Sequence, residues 1–174
     1  MPDKNYVLTK EAALEKIHRM ALQIAEDISE EDTPLVLIGI RNSGMAIAKQ
    51  VGAFLIDYIK ADIQILSVVL DKHFPDQVTI SDDINFDNKN VILVDDVSNS
   101  GRTLMYALKP LLSYHPKRVQ ILVLVERMHK QFPIKPDYVG VSVATTEDDY
   151  IQVEIEGEKV VGAFVKPNPE EVIS

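Results

Sequence analysis

"VILVDDVSNSGRT", residues 91–103, decides how this chain is read. Val91–Val94 is an unbroken aliphatic run, the pattern of a strand covered on both faces. Two adjacent carboxylates, Asp95 and Asp96, follow it at once. Then come Val97, Ser98, Asn99, Ser100, Gly101, Arg102 and Thr103, leading into a helix expected over about residues 101–113. A helix start offers free backbone N–H groups and the positive end of the dipole, which suits a phosphate. Small hydroxyl side chains add donors without blocking the approach, and Gly101 lets the backbone come close. The acids would repel a phosphate, so they suit something neutral or cationic beside it, such as sugar hydroxyls or Mg²⁺. A bare acid pair reads more simply as a turn residue and an N-cap. Behind four aliphatic residues and ahead of this loop, the pair reads as half of a sugar-phosphate site.

Strands and helices alternate around that stretch. Residues 9–30 carry helical spacing, with Leu14, Ile17, Ala21, Ile24, Ala25 and Ile28 on one face, Thr9 as N-cap and Glu11 in the first turn. His18 reads as an ordinary helix-surface histidine, since no partner has metal-ligand spacing with it. "LVLIGI" (35–40) is a buried strand, followed by "RNSG" and a helix over about 44–59 with Ile47, Ala48, Val51, Leu55 and Tyr58 turned inward. "IQILSVVL" (63–70) is the next strand. The polar stretch 71–90, with His73 and Pro75, reads as loop with a short strand at "QVTI". Pro110 should kink or shorten its helix. "VQILVLV" (119–125) and "DYVGVSV" (137–143) are further strands, and 151–165 reads as a hairpin turning at Glu156-Gly157, with Glu154 and Glu156 on its wet side. The order predicts one α/β domain over 1–174, a mostly parallel sheet flanked by helices with a C-terminal antiparallel hairpin.

Composition removes several classes of function. The chain has no cysteine, which excludes disulfides, zinc-thiolate sites and thiol nucleophiles and fits a cytoplasmic protein. The N-terminus has no apolar signal region, and no apolar run approaches the roughly 20 residues a membrane helix needs. A formal net charge of −9 disfavours nonspecific binding to a phosphate backbone. "GIRNSGMA" has P-loop glycine spacing, but Met45-Ala46 stands where Lys-Ser/Thr is required. No dinucleotide fingerprint, nucleophile elbow or His-Glu-x-x-His motif is present.

"VILVDDVSNSGRT" resembles the phosphoribosyl-pyrophosphate (PRPP) signature of type I phosphoribosyltransferases. "LVLIGIRNSGMAIAKQV" resembles the strand, pyrophosphate loop and helix of that fold. "ILVLVERMHKQFPIKPDYVGVSVATTEDDYIQVEI" is similar to the C-terminal half of the bifunctional pyrimidine-operon attenuator and uracil phosphoribosyltransferase (PyrR) family. The resemblance implies a transferase that joins a nucleobase, uracil first, to the phosphoribosyl group of PRPP and releases pyrophosphate. It implies that Asp95 and Asp96 bind the ribose hydroxyls and that Val97 through Thr103 hold the 5′-phosphate. Arg41, Asn42, Ser43 and Gly44 would form the pyrophosphate loop. Arg127 would lie near base and ribose, and the backbone of Val139, Gly140, Val141 and on to Val143 would read the base. Mg²⁺ would come with PRPP and waters near the acid pair, with no dedicated protein cage. PRPP, a nucleobase or a nucleoside monophosphate would be the ligands, and a homo-oligomer the assembly. The other reading the resemblance allows is a nucleotide-sensing regulator that binds operon RNA and has little or no activity. Its basic surface would be "HPKR" (115–118) and "RMHK" (127–130). Ser98 and Asn99 differ from the family's usual phosphate loop, Ser43 stands for an arginine, and Met128 stands for a glycine. The 71–90 segment is shorter than the family's closing loop and lacks its Tyr-Arg element.

Overall fold

Leu35–Ile40 is buried at every position, and that burial organises the molecule. In the computed structural model, which describes residues 5–70 and 78–167, this strand is β2. Its alternate side chains feed two separate cores. Leu35 and Leu37 point into one, and Val36, Ile38 and Ile40 into the other. A strand with an apolar side chain on both faces belongs inside a sheet covered on both sides.

The elements run β1 (Asn5–Thr9), α1 (Lys10–Ile28), β2 (Leu35–Ile40), α2 (Arg41–Leu55), β3 (Ile63–Leu70), β4 (Val78–Ile80), β5 (Asn90–Ser98), α3 (Arg102–Ala107), a 3₁₀ helix (Lys109–Ser113), β6 (Arg118–Arg127), β7 (Tyr138–Val143), β8 (Asp149–Glu156) and β9 (Lys159–Pro167). Six strands form the main sheet in the order β4-β3-β2-β5-β6-β7. β3, β2, β5, β6 and β7 are mutually parallel, and β4 runs antiparallel at one edge. α1 and α2 cover one face, and α3 with the 3₁₀ helix covers the other. β1, β9 and β8 form a second, antiparallel sheet in that order. Ile151, Val153, Val160 and Ala163 of this small sheet join the core under α1 and α2.

The expected α/β architecture and C-terminal hairpin are present, with local differences that have physical causes. The hairpin turns at Gly157 and Glu158, because Glu156 still pairs with Lys159. β1 is too short to show a period, and it forms by adding to β9, with Tyr6 against Phe164 edge to face at 5.8 Å. Thr9 caps α1 as expected, accepting from the Ala12 N–H at 3.1 Å, but Leu14 is exposed and Ala13 and Met20 are buried in its place. α2 begins at Arg41, earlier than expected, and ends at Leu55, which leaves Tyr58 outside and exposed. α3 stops at Ala107 because Pro110, which has no N–H to give, opens a tighter 3₁₀ turn instead. Of "QVTI", Val78–Ile80 is the antiparallel strand β4; His73 and Pro75 lie outside the described residues. Among the described residues no helix is long and apolar enough to cross a membrane.

Close packing of α2 on the sheet depends on two glycines. A Cβ on Gly39 would sit 2.6 Å from the backbone of Met45, and one on Gly44 would sit 2.5 Å from the carbonyl oxygen of Val94. Neither obstacle is a side chain that could swing away. Gly44→Ala is therefore expected to cost about 1–3 kcal/mol of stability as α2 is pushed off the sheet. Urea denaturation would measure this, and a midpoint equal to that of the unsubstituted chain would refute the packing role.

Candidate functional site

The chain leaves β2 through α2 toward β3 on one side, and returns to place β5 on the other side of β2. The loops after β2 and β5 therefore diverge over opposite faces and open a crevice at the carboxyl ends of the strands. Open parallel sheets bind ligands at such a switch point. The two segments singled out in the sequence, 41–44 and 95–103, are its two walls. Gly39 pairs with Val94, so the acid pair begins one residue beyond the last paired position of β2 and β5.

The acids lie within β5, which continues to Ser98, and not past its end as the sequence suggested. Asp95 is buried, and Asp96 is half-buried. Each carboxylate accepts from the next backbone N–H: Asp95 Oδ1 from Asp96 at 2.8 Å, and Asp96 Oδ1 from Val97 at 2.7 Å. Burial, and then the charge of Asp96, push the Asp95 carboxyl well above the usual carboxylate range. The Arg41 guanidinium opposes that rise. Arg41 is the first residue of α2. It adopts φ 60, the left-handed region that a long side chain rarely occupies. Asn42 is exposed and Ser43 half-exposed in the first turn of α2, where backbone N–H groups are free of intrahelical partners. Gly44, expected in the same ligand loop, is buried against Val94 and serves packing.

Beyond β5 the chain closes a small cup of about 50 Å³, lined by Asp95 and by Val97 to Leu104. Gly101 stands at φ 88, so a glycine is required there. The Ser100 hydroxyl accepts from the Arg102 N–H at 3.2 Å, and the Ser100 carbonyl accepts from Gln131 and Phe132. The loop is thereby tied down from behind. Ser98 is 1% exposed, and its Oγ finds no partner among the described residues. Thr103 is half-exposed at the start of α3. Three larger hollows, about 420, 550 and 320 Å³, lie by the end of α2, beneath the 3₁₀ helix and between that helix and β4. Their linings are mainly apolar and include none of the acid pair or the cup.

Arg127 closes the far end of the crevice. Its Nε donates to Thr145 Oγ1 at 2.7 Å, Nη2 to the Thr146 carbonyl at 2.9 Å and Nη1 to Asn99 Oδ1 at 3.4 Å. Arg127 thus bridges the 97–103 loop and the segment after β7. Val139, Gly140 and Val141 are placed differently, in the body of β7 rather than at its carboxyl end. The carbonyls of Val139 and Gly140 are taken by Arg19 of α1. Thr145, Thr146 and Arg19 had no signal in the sequence: two sit in a polar connection, and Arg19 looks like any charged residue flanking an amphipathic stripe.

Both basic runs form ion pairs within the chain. Lys117 and Arg118 pair with Glu31, whose carboxyl is held below the usual range by the Asn90 amide and then by Lys117. Lys130 pairs with Glu126, and Arg127 is committed as described.

Comparison with known proteins agrees with this geometry. The phosphoribosyl transferase domain model matches residues 5–157. The bifunctional protein PyrR of Clostridium novyi is 32% identical over 180 residues, covering 95% of this chain and all of that protein. The protein of the same name from Limosilactobacillus reuteri is 35% identical over 150 residues, 79% of this chain and 84% of its own. Among solved structures, a hypoxanthine-guanine phosphoribosyltransferase of Bacillus anthracis superposes with a TM-score of 0.69 at 26% identity, covering 87% of each chain. The hypoxanthine phosphoribosyltransferase of Trypanosoma cruzi shares the fold with a TM-score of 0.79 at 16% identity, covering 95% of this chain and 97% of its own. With the acid pair, the cup and the switch-point crevice in place, the chain belongs to the type I phosphoribosyltransferase family, among its PyrR-like members.

Proposed function

We propose that this phosphoribosyltransferase uses uracil as its base, and that the crevice between 41–44 and 95–103 is where the transfer takes place. The observation that carries the reading is the buried Asp95 in the lining of the 95–104 cup, with the Arg41 charge acting on it. The cup would take the 5′-phosphate on the backbone N–H groups of residues 99–101 and of Thr103, the Arg102 N–H being taken by Ser100 Oγ. Asp96, the more exposed acid, would accept from the ribose hydroxyls, with Asp95 behind it. Arg41 and the first turn of α2 would face the pyrophosphate. In the reaction a uracil nitrogen forms a bond to ribose C1 as the C1–O bond to pyrophosphate breaks. The electron pair leaves with pyrophosphate, and the base N–H proton passes to solvent. The chain's share is positioning and charge placement.

Mg²⁺ would be held mostly by diphosphate and water oxygens, with Asp95 and Asp96 nearby. Bound there, the ion would neutralise charge on the leaving group.

Pyrophosphate release across a panel of bases, with and without Mg²⁺, tests the assignment. Turnover is expected with uracil and PRPP and only with the metal. Asp96→Asn should raise KM for PRPP on the order of tenfold, the size of one charge-assisted hydrogen bond. Faster turnover of a purine would overturn the choice of base.

The raised pKa of Asp95 has its own consequence. The folded state holds this proton more tightly than the unfolded state, so the site favours folding at low pH and loses that favour as pH rises through the folded pKa. Asp95→Asn should therefore be more stable than the unsubstituted chain at pH 7, with the gap closing as pH falls toward about 4, near the unfolded carboxylate pKa. Thermal melts over that range give the answer.

A further inference from the structure

β7 is the edge strand of the main sheet, hydrogen-bonded to β6 alone among the described strands. An edge strand needs donors for its outward carbonyls. Here a side chain from α1 donates into the middle of the strand. Arg19 Nη2 donates to the carbonyls of Val139 at 2.9 Å and Gly140 at 2.7 Å, and Nη1 donates to Gln23 Oε1 at 2.8 Å, which sets the plane of the guanidinium. On the other side Gly140 lies so close to β6 that a Cβ would come within 2.3 Å of the Leu124 carbonyl oxygen. The middle of β7 is gripped from both edges.

What lies beyond the grip is the far end of the crevice. The Val143 carbonyl, at the end of β7, accepts from the Met128 N–H at 3.2 Å. Thr145 and Thr146 follow, and they hold Arg127, which in turn reaches Asn99 in the 97–103 loop. A line of hydrogen bonds and strand backbone therefore runs from α1 through β7 to the loop that closes the cup.

We infer that Arg19 is a positioning residue for the base end of the site: by clamping the Val139 and Gly140 carbonyls it fixes the path of β7 into Thr145 and Thr146, and so the placement of Arg127. The inference rests on the crevice being the transfer site. Arg19 itself touches no substrate. Both carbonyl bonds come from one nitrogen, so a lysine ammonium in the same place can partly replace it, and a methionine of similar length cannot.

The test compares the full chain with Arg19→Met, Arg19→Lys and Met20→Ala. Met20 is fully buried on α1, so its truncation lowers stability while the Arg19 guanidinium is kept. Two readouts are taken well below every melting temperature: steady-state KM and kcat with uracil and PRPP, and hydrogen exchange at Val141, Ser142, Val143 and Thr145. Arg19→Met is expected to raise KM for uracil roughly tenfold with kcat changed less than about twofold, the loss of one charged hydrogen-bond donor expressed in binding. Exchange beyond the clamp should speed up in parallel, and Arg19→Lys should recover most of both. A normal KM and unchanged exchange in Arg19→Met, or the same KM rise in Met20→Ala, would overturn the inference and leave Arg19 a plain stabilising contact. If the unsubstituted chain turns over no base, the proposed activity fails, and the exchange data alone decide whether Arg19 governs the end of β7.

Discussion

The contact between Gly44 and the carbonyl of Val94 sets the geometry of the crevice. It brings the start of α2 down onto β5, at the place where the chain reverses its direction across the sheet. Gly39 does the same from below, where Met45 leans on it. With side chains at either position the first turn of α2 would ride higher. Its free N–H groups and Arg41 would then stand away from Asp95. Two residues that contribute no chemistry thus bring the two chemical loops together.

Charge in the crevice is arranged around a buried acid. Asp95 sits where desolvation and a neighbouring carboxylate both disfavour ionisation, and Arg41 is the cation that counters them. Such a site gains from a ligand that arrives with hydroxyl donors and a metal ion. It is poorly suited to a bare phosphate. The backbone strain at Arg41 fits the same picture, since an unusual φ in a long side chain persists only where the surroundings impose it.

The cations of this chain also have tertiary assignments. Glu31 gathers Lys117 and Arg118 at the amino ends of β5 and β6, far from the crevice, and Glu126 takes Lys130. Arg19 caps a sheet edge, and Arg127 bridges two segments.

By itself the sequence determined the strands buried on both faces, the helix capped by Thr9, the break at Pro110, the acid pair and the phosphate-type loop behind it. Each of these is written in short-range chemistry: period, capping side chain, missing N–H, clustered polar groups. The family was legible for the same reason, because strand, acids and loop are contiguous. What only the tertiary structure decided depends on contacts between distant segments. Leu14 and Tyr58 fit a helical stripe, yet nothing in the sequence says that α1 and α2 leave that side uncovered. Gly44 looked like a ligand-loop glycine alone, and only the fold gave it a packing role against Val94, fifty residues on. Asp95 and Asp96 looked equivalent until β5 was extended past them and buried only one. Val139 and Gly140 lost their carbonyls to an arginine some 120 residues earlier. Periodicity reports which face of an element is apolar. Which partner meets that face, and which polar group is thereby left for a ligand, is settled only when the layers pack.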